Sequence, residues 1–445
     1  MIKKIICLIV FLGGLLGCNK KVEQQITTAP QTFPSSTQAY KPVANMPEIA
    51  WWQQFHDREL NRLIASSLKN NMDIHIAIGN LQQAQGELQQ VKLSWIPTLK
   101  FLAGYSTNPA FGVPGGFFGV WPYYTLNIMQ LYSQQKQANY NVLYSRAAVE
   151  GIRLVTIGQV AGAYFSLIAQ LEQLRLLKQL NKDLKALITL SEQDIKIGLQ
   201  NNIDLAQLRS DERIVAAQIK PVLHNIVASE NALHYLVNEN PDRIKSKNNF
   251  AQLDFSLFKP GSLPVQVLNN RPDLKMAEYA LKAAKTGITI AYSNFFPAVQ
   301  LDEFVGGLHV PHTVFGQFTD AYGNLNSAPS NIGTISASQG AYNASVAAFN
   351  KTLRQILKEV DTDYSANKRM NERFLAYLRA ENDYRNKYEL QQGLLKTGLI
   401  SYKDLLQSKI YLDNLALSSN QAKLELAMSL VLLYQDLAGG YAANG

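Results

Sequence analysis

The chain has 445 residues, is 47% apolar and 17% charged, and carries a formal net charge of +8. That length and apolar content are enough for two or more ordinary domains with a substantial core. Basic and acidic residues are interspersed, as in RSDERIVAAQIK, with no basic stripe carrying interleaved aromatics, which argues against a nucleic-acid partner. With only two cysteines, Cys7 and Cys18, there is no disulfide framework and no thiolate metal site.

The first residues, MIKKIICLIVFLGGLLGCNK, place two lysines before an apolar run from Ile5 to Leu16. As a helix the run spans ~18 Å, short of a ~30 Å bilayer core, so residues 1–17 read as a signal peptide rather than a membrane anchor. Leu15-Leu16-Gly17-Cys18 resembles a bacterial lipobox, in which the cysteine is diacylated and becomes the new N-terminus. That resemblance makes Cys18 the lipidation site and implies that Asn19, standing where aspartate would retain the protein, directs it to the outer membrane. Residues 18–46, rich in Thr, Ser, Gln and Pro, read as a lipidated flexible tether, with folded structure expected from near Pro47.

From there the chain is written twice. KIGLQNNIDLAQ, starting at Lys196, and KTGLISYKDLLQ, starting at Lys396, share Lys, Gly, Leu, Asp, Leu and Gln at a constant offset of 200. Asp73, Ala77, Leu81, Ala84 and Pro97 match Asp273, Ala277, Leu281, Ala284 and Pro297 at that offset, as Val160 and Tyr164 match Val360 and Tyr364. A gapless match of this extent indicates duplication, giving repeat 1 at 47–246 and repeat 2 at 247–445.

Each repeat reads in the same order. A helical stretch ends at Pro97 or Pro297, where helix is broken. Period-two alternation follows, with Leu99, Phe101, Ala103 and Tyr105 on one face and Thr98, Lys100, Leu102 and Gly104 on the other. The expected hairpins cover about 98–131, with a second strand in YYTLNIMQ after a loop NPAFGVPGGFFGVWP, and about 298–340, with a loop from His309 to Ser330 and a second strand in IGTISASQ. Beyond them, Leu154, Ile157, Ala161, Tyr164, Ile168 and Leu171 alternate steps of three and four, as do Val215, Ile219, Val222, Ile226, Ser229, Leu233 and Leu236. This is a heptad seam. Long helical hairpins are therefore expected over about 133–238 and 347–437, with clear breaks only at Gly198 and Gly398; a helix from 133 to 197 spans ~97 Å.

If the strands cross a membrane they must close into a barrel, because an open edge in lipid leaves backbone groups unpaired. One chain supplies four strands and membrane barrels need ~8 or more, so three chains with twelve strands and twelve helices around one axis satisfy the requirement. The alternative is a lipid-anchored periplasmic coiled-coil scaffold without a pore, its strands forming a small soluble sheet. Glu303 shares a face with Val299 and Leu301, so if that face meets lipid Glu303 lies near a strand end or the register slips.

These segments together resemble the TolC-like outer-membrane efflux proteins, in particular the lipoprotein branch that includes OprM. WWQQFHDRELNRLIASSLKNNMDI looks like the opening helix of that family, LPVQVLNNRPDLKMAEYALKAA its midpoint signature, and LLKTGLISYKDLLQ with LYQDLAGGY its closing stretch. The resemblance implies a mainly α fold with a small β part: a homotrimer forming a 12-stranded β-barrel on a 12-helix α-barrel. It also implies a passive outer-membrane exit channel, not an enzyme, that works with a periplasmic adaptor and an inner-membrane efflux transporter. Gly198, Leu199, Gly398 and Leu399 then fall at adaptor-docking tips, and Asp404 at the periplasmic gate, beside Gln407 where some relatives carry a second aspartate. Asp404, like Asp204, also reads simply as a helix cap.

No catalytic constellation, cofactor motif or metal site stands out. GVPGGFFG lacks a following Lys-Ser/Thr, and His309 and His312 have no carboxylate or thiol at ligand spacing.

Overall fold

The computed structural model describes residues 33–35, 41–42, 45–107, 115–199, 201–244, 250–255, 260–261, 264–309, 313–324 and 328–443. Among the described residues eight α-helices carry the architecture: α1 (Arg58–Asn70), α2 (Met72–Leu93), α3 (Ile128–Lys196), α4 (Asn202–Val237), α5 (Pro264–Asn270), α6 (Pro272–Ser293), α7 (Ser330–Lys396) and α8 (Tyr402–Asp436). Strands β2 (Thr98–Ser106), β3 (Gly115–Leu126), β5 (Ala298–His309) and β6 (Thr313–Asn324) form one sheet; β1 (Lys41–Pro42) and β4 (Pro260–Gly261) form a short parallel pair.

Local chemistry sets most helix starts. Asp57, Asn71, Asn127 and Asn201 each accept hydrogen bonds from backbone amides of the first turn of the helix they precede, satisfying groups the helix leaves unpaired. Asn127 also donates to the Ser293 carbonyl at 3.0 Å, tying the start of α3 to the end of α6.

The helices α3, with 69 residues, and α7, with 67, are each about 100 Å long at ~1.5 Å per residue. α4 and α8 are half that length, with 36 and 35 residues. Over the sheet-proximal half α3 packs between α2 and α6, and α7 against α6; over the distal half α3 packs between α4 and α8, and α7 against α8. Each half is thus four helices wide, in the orders α2-α3-α6-α7 and α4-α3-α8-α7. The apolar stretch of α3 is long enough to cross a membrane, yet 67% of it is buried inside this body.

The core lies at mid-length, where the echoed Tyr164 and Tyr364 are fully buried. Tyr164 donates to Asp57 at 2.6 Å, and Trp51 stacks on Tyr434 with 4.7 Å between ring centroids.

Four expectations need correction. The stretch 18–46 is not tether throughout: Phe33 is buried beside Tyr364, Ser35 donates to Asp361 at 2.7 and 3.0 Å, and residues 41–42 pair with 260–261. Cys18 and Asn19 lie outside the described residues. The second hairpin ends at Asn324, not near 340: TVFGQFTDAYGN, expected as loop, pairs along its whole length with β5, while IGTISASQ lies in α7. Its alternation comes from small residues, and in the helix the Thr334 hydroxyl bonds the Ser330 carbonyl four residues back.

Likewise residues 115–122 are strand rather than loop, and α3 begins at Ile128, so YYTLNIMQ is strand only to Leu126. Finally, Glu303 stands mid-strand, sixth of twelve in β5 and opposite Thr319. The register does not slip to spare it, because an unbroken ladder of pairs with β6 holds β5 in place.

Candidate functional site

At the end of the body farthest from the sheet, both repeats close with the same turn. The Gly198 amide bonds the Ile195 carbonyl at 3.0 Å and the Leu199 amide the Asp194 carbonyl at 2.9 Å; in repeat 2, Gly398 bonds Leu395 at 3.0 Å and Leu399 bonds Leu394 at 3.0 Å. Such a pair of bonds ends a helix through a residue in the left-handed region, and φ is +77° at Gly198 and +76° at Gly398. Each glycine lifts a leucine into solvent: Leu199 is 75% and Leu399 72% exposed.

After the turns the repeats differ. In repeat 1 Asn201 caps α4. In repeat 2 Ser401 and Asp404 cap reciprocally: the Asp404 amide donates to Ser401 Oγ at 3.1 Å, and Asp404 Oδ2 accepts from the Ser401 amide at 3.1 Å and its hydroxyl at 2.6 Å. These bonds from Ser401 hold the Asp404 carboxyl below its ordinary range. Asp404 and Gln407 are both exposed.

Just before Asp404, Lys403 reaches Asp194 of α3 at 2.8 Å, joining the two tips through a charge-assisted hydrogen bond. Nothing in the repeat signalled this bridge, since the equivalents of Lys403 and Asp194 are Ile203 and Leu394.

At the opposite end the sheet order is β2-β3-β5-β6, every adjacent pair antiparallel. The register puts Leu99, Phe101, Tyr105, Phe118, Val120, Val299, Leu301 and Val305 on one face, where Phe101 is 79% exposed. The other face is mixed, with Lys100, Gln300, Asp302 and Asp320 among Leu102, Phe117, Trp121, Tyr123 and Tyr322. There Asp302 accepts from Trp121 at 3.3 Å and from Gln300 at 3.2 Å, Lys100 lies 4.9 Å over the Tyr123 ring, and Thr125 donates to Tyr123 at 3.1 Å. Among the described residues β2 and β6 each have one neighbour, leaving two open edges.

The profile of the outer membrane efflux protein family matches residues 63–239 and again residues 263–439. The chain belongs to this family. Its two matches stand at the offset of the internal repeat. The chain is 26% identical to a probable outer membrane lipoprotein, SilC of Salmonella typhimurium, over 66% of this chain and 65% of SilC. It is 25% identical to a solvent efflux pump outer membrane protein, SrpC of Pseudomonas putida, over 96% of each. In fold it matches the open state of the Neisseria gonorrhoeae MtrE outer membrane channel with a TM-score of 0.80 at 21% identity, covering 94% of this chain and 97% of MtrE.

Arg271, of the midpoint signature, is buried where the start of α6 meets α7 and the end of α8, all within repeat 2. It donates to Asp273 at 2.6 and 3.0 Å, to Asp436 at the end of α8 at 3.0 Å, and to Glu359 of α7 at 3.4 Å. Burial opposes its charge, but Asp273 and Asp436 outweigh it and hold the guanidinium above its usual value. Beside it, burial and the hydrogen-bonded Asp436 push the Asp363 carboxyl up to about 8.

A carboxyl raised in the folded state holds its proton there between its unfolded value of 3.8 and about 8. The resulting stability is present at acid pH and is lost as pH rises through about 8. Thermal unfolding followed by circular dichroism should therefore give a lower Tm at pH 9 than at pH 6, and Asp363→Asn should flatten the difference. An unaltered pH slope in that variant would remove Asp363 as its source.

Among the described residues no group of three or more His, Cys, Asp or Glu is placed to hold a metal. His309 ends β5, and His312 and the loop 108–114 lie outside the described residues.

Proposed function

We propose that the chain is one third of a passive, homotrimeric outer-membrane exit channel for small molecules delivered by an inner-membrane transporter through a periplasmic adaptor. The observation that carries the reading is the sheet: four antiparallel strands with a mainly apolar face, a face that carries Lys100, Asp302 and Asp320, and two open edges, set on helices about 100 Å long. Strands of 12 residues rise about 40 Å and, tilted near 45°, span about 29 Å, the thickness of a bilayer core. β2 and β6 run in opposite directions, so β6 of one copy can pair antiparallel with β2 of the next, and three copies close twelve strands with no edge left. The apolar face meets lipid and the mixed face lines the duct. A pore-less scaffold would leave Phe101, Leu301 and their neighbours in water.

The duct does no chemistry, and the energy for export comes from the partner pump. Diacylation of Cys18 adds a second hold on the membrane, with Asn19 as its sorting signal. The far ends of the helices narrow the duct, with Asp404 and Gln407 at the periplasmic gate. Gly198-Leu199 and Gly398-Leu399 form the docking tips: the same turn, exposed in both repeats, presents equivalent leucines to an adaptor. The SilC and SrpC names accord with a lipoprotein and with efflux, and substrate identity is set by the pump.

Reconstitution in planar bilayers tests the reading. Discrete single-channel currents are expected, and a protein that inserts without conducting would contradict it. A Cβ at residue 398 meets nothing within 4 Å, so Gly398→Val acts through backbone strain alone, roughly 1–2 kcal/mol confined to the tip. Efflux measured in cells should fall while the trimer persists on gels, and normal efflux would remove the tip from docking.

A further inference from the structure

Over the distal half of the body the order α4-α3-α8-α7 leaves α4 and α7 at the two edges. α4 buries Leu205, Val215, Val222 and Ile226 against α3. On its opposite side Ala206, Ser210, Arg213, Ala217, Lys220 and His224 are all exposed and recur at alternating steps of four and three, a second heptad seam. A shallow groove runs along it, lined by Ala206, Ser210 and Ala217 with Arg209, Arg213 and Ile214, and Ile214 is 53% exposed.

α7 is built the same way. Asn367 donates to Ser429 of α8 at 3.3 Å, and the Phe374 ring lies under Lys423 of α8. On the side away from α8, Glu372, Ala376, Arg379, Asp383, Asn386 and Leu390 are exposed at the same alternating steps, and Leu390 is 73% exposed.

The two stripes are complementary when they run in opposite directions. α4 leaves its tip at Asn202 and α7 arrives at its tip at Lys396. Arg213 stands eleven residues from the one end and Asp383 thirteen from the other, level to ~3 Å. In that register Ala206 meets Leu390, Ser210 meets Asn386, Ala217 meets Arg379, Lys220 meets Ala376 and His224 meets Glu372, with no like charges opposed along the seam. Arg213 and Asp383 have no ion-pair partner of their own among the described residues. The flanking cations Arg209 and Lys387 are held within the chain, by Glu192 at 2.8 Å and over the Tyr384 ring at 4.5 Å. At the sheet end the same two edges carry β2 and β6, so a neighbour that pairs its β6 with β2 also brings its α7 to α4.

We propose that the two stripes are an interface between copies of this chain: α4 of one copy packs antiparallel on α7 of the next, with Arg213 paired to Asp383 across the seam. The proposal rests on the trimeric reading and adds which helices meet and in what register. An ion pair placed this way contributes less to affinity than to register, because a slip of one turn would set Arg213 against Arg379 or Lys387.

Cysteine cross-linking of the full-length protein in outer-membrane fractions tests the register. Under mild oxidation Ser210→Cys with Asn386→Cys should give linked trimers on non-reducing gels, whereas Ser210→Cys with Glu372→Cys, displaced by about 21 Å, should give none. Arg213→Glu should lower the temperature at which the trimer dissociates, and Arg213→Glu combined with Asp383→Arg should restore it. All these positions are exposed in the single chain, so its fold is not at stake. A trimer in which the level cysteines stay unlinked, or whose dissociation temperature ignores Arg213→Glu, would overturn the interface and leave the trimeric reading standing. A monomer in the membrane would overturn both.

Discussion

Lys403→Ala is expected to raise the open probability of the reconstituted channel roughly tenfold or more. Lys403 and Asp194 meet at 2.8 Å, with their side chains 26% and 30% exposed, and they join the start of α8 to the end of α3 where the tips converge. A partly exposed pair of this kind contributes ~0.5–1 kcal/mol. In the proposed trimer three copies acting on one gate would contribute ~1.5–3 kcal/mol, and each ~1.4 kcal/mol is a factor of ten in the open-to-closed ratio. Asp194→Ala should behave alike, the exchange of the two charges should restore closure, and raised salt should mimic either single variant. A Lys403→Ala channel with unaltered gating would show that the bridge only steadies the tip.

The second large effect concerns neighbouring residues on opposite faces of the sheet. Leu301 lies on the apolar face beside Tyr124 and Ala321, and Asp302 on the mixed face beside Tyr123 and Asp320. An arginine facing lipid near mid-bilayer costs ~2–4 kcal/mol, hence ~6–12 kcal/mol in a trimer, a sizeable part of the stability of a whole domain. Leu301→Arg should therefore abolish trimers in outer-membrane fractions, whereas Asp302→Asn should assemble normally and alter only ion selectivity. Equal assembly of both variants would mean that the apolar face does not meet lipid. Glu303 shares the apolar face at mid-strand, so Glu303→Leu should raise the temperature at which the trimer dissociates.

The architecture was legible in the sequence where chemistry was repeated. The offset of 200 located both glycine turns, and in both the structure builds the same left-handed helix end. Apolar alternation located β2 and β5, because period two in aromatic and branched residues is the pattern of a strand with two unlike faces. It failed at IGTISASQ, where small hydroxyl residues alternate without bulk and helix continues from Ser330. TVFGQFTDAYGN was hidden by its glycines and aspartate, and only its pairing with β5 makes it strand.

At the candidate site the duplication was an incomplete guide. It drew attention to residues that agree, Gly198 with Gly398 and Asp204 with Asp404, while the bridge between the tips uses Lys403 and Asp194, which have no counterparts. Asp404 was legible as either cap or gate; the structure puts its carboxylate in the Ser401 capping box. The docking of Phe33 and Ser35 on α7 rests on single long-range contacts that no local pattern encodes.

At the centre of the proposed function stands a count of strands: one chain cannot close the barrel, and three can. Native mass spectrometry of the protein extracted from outer membranes in mild detergent reads this directly. A single species of three chains is the expected result; a folded, membrane-extracted monomer or dimer would contradict it.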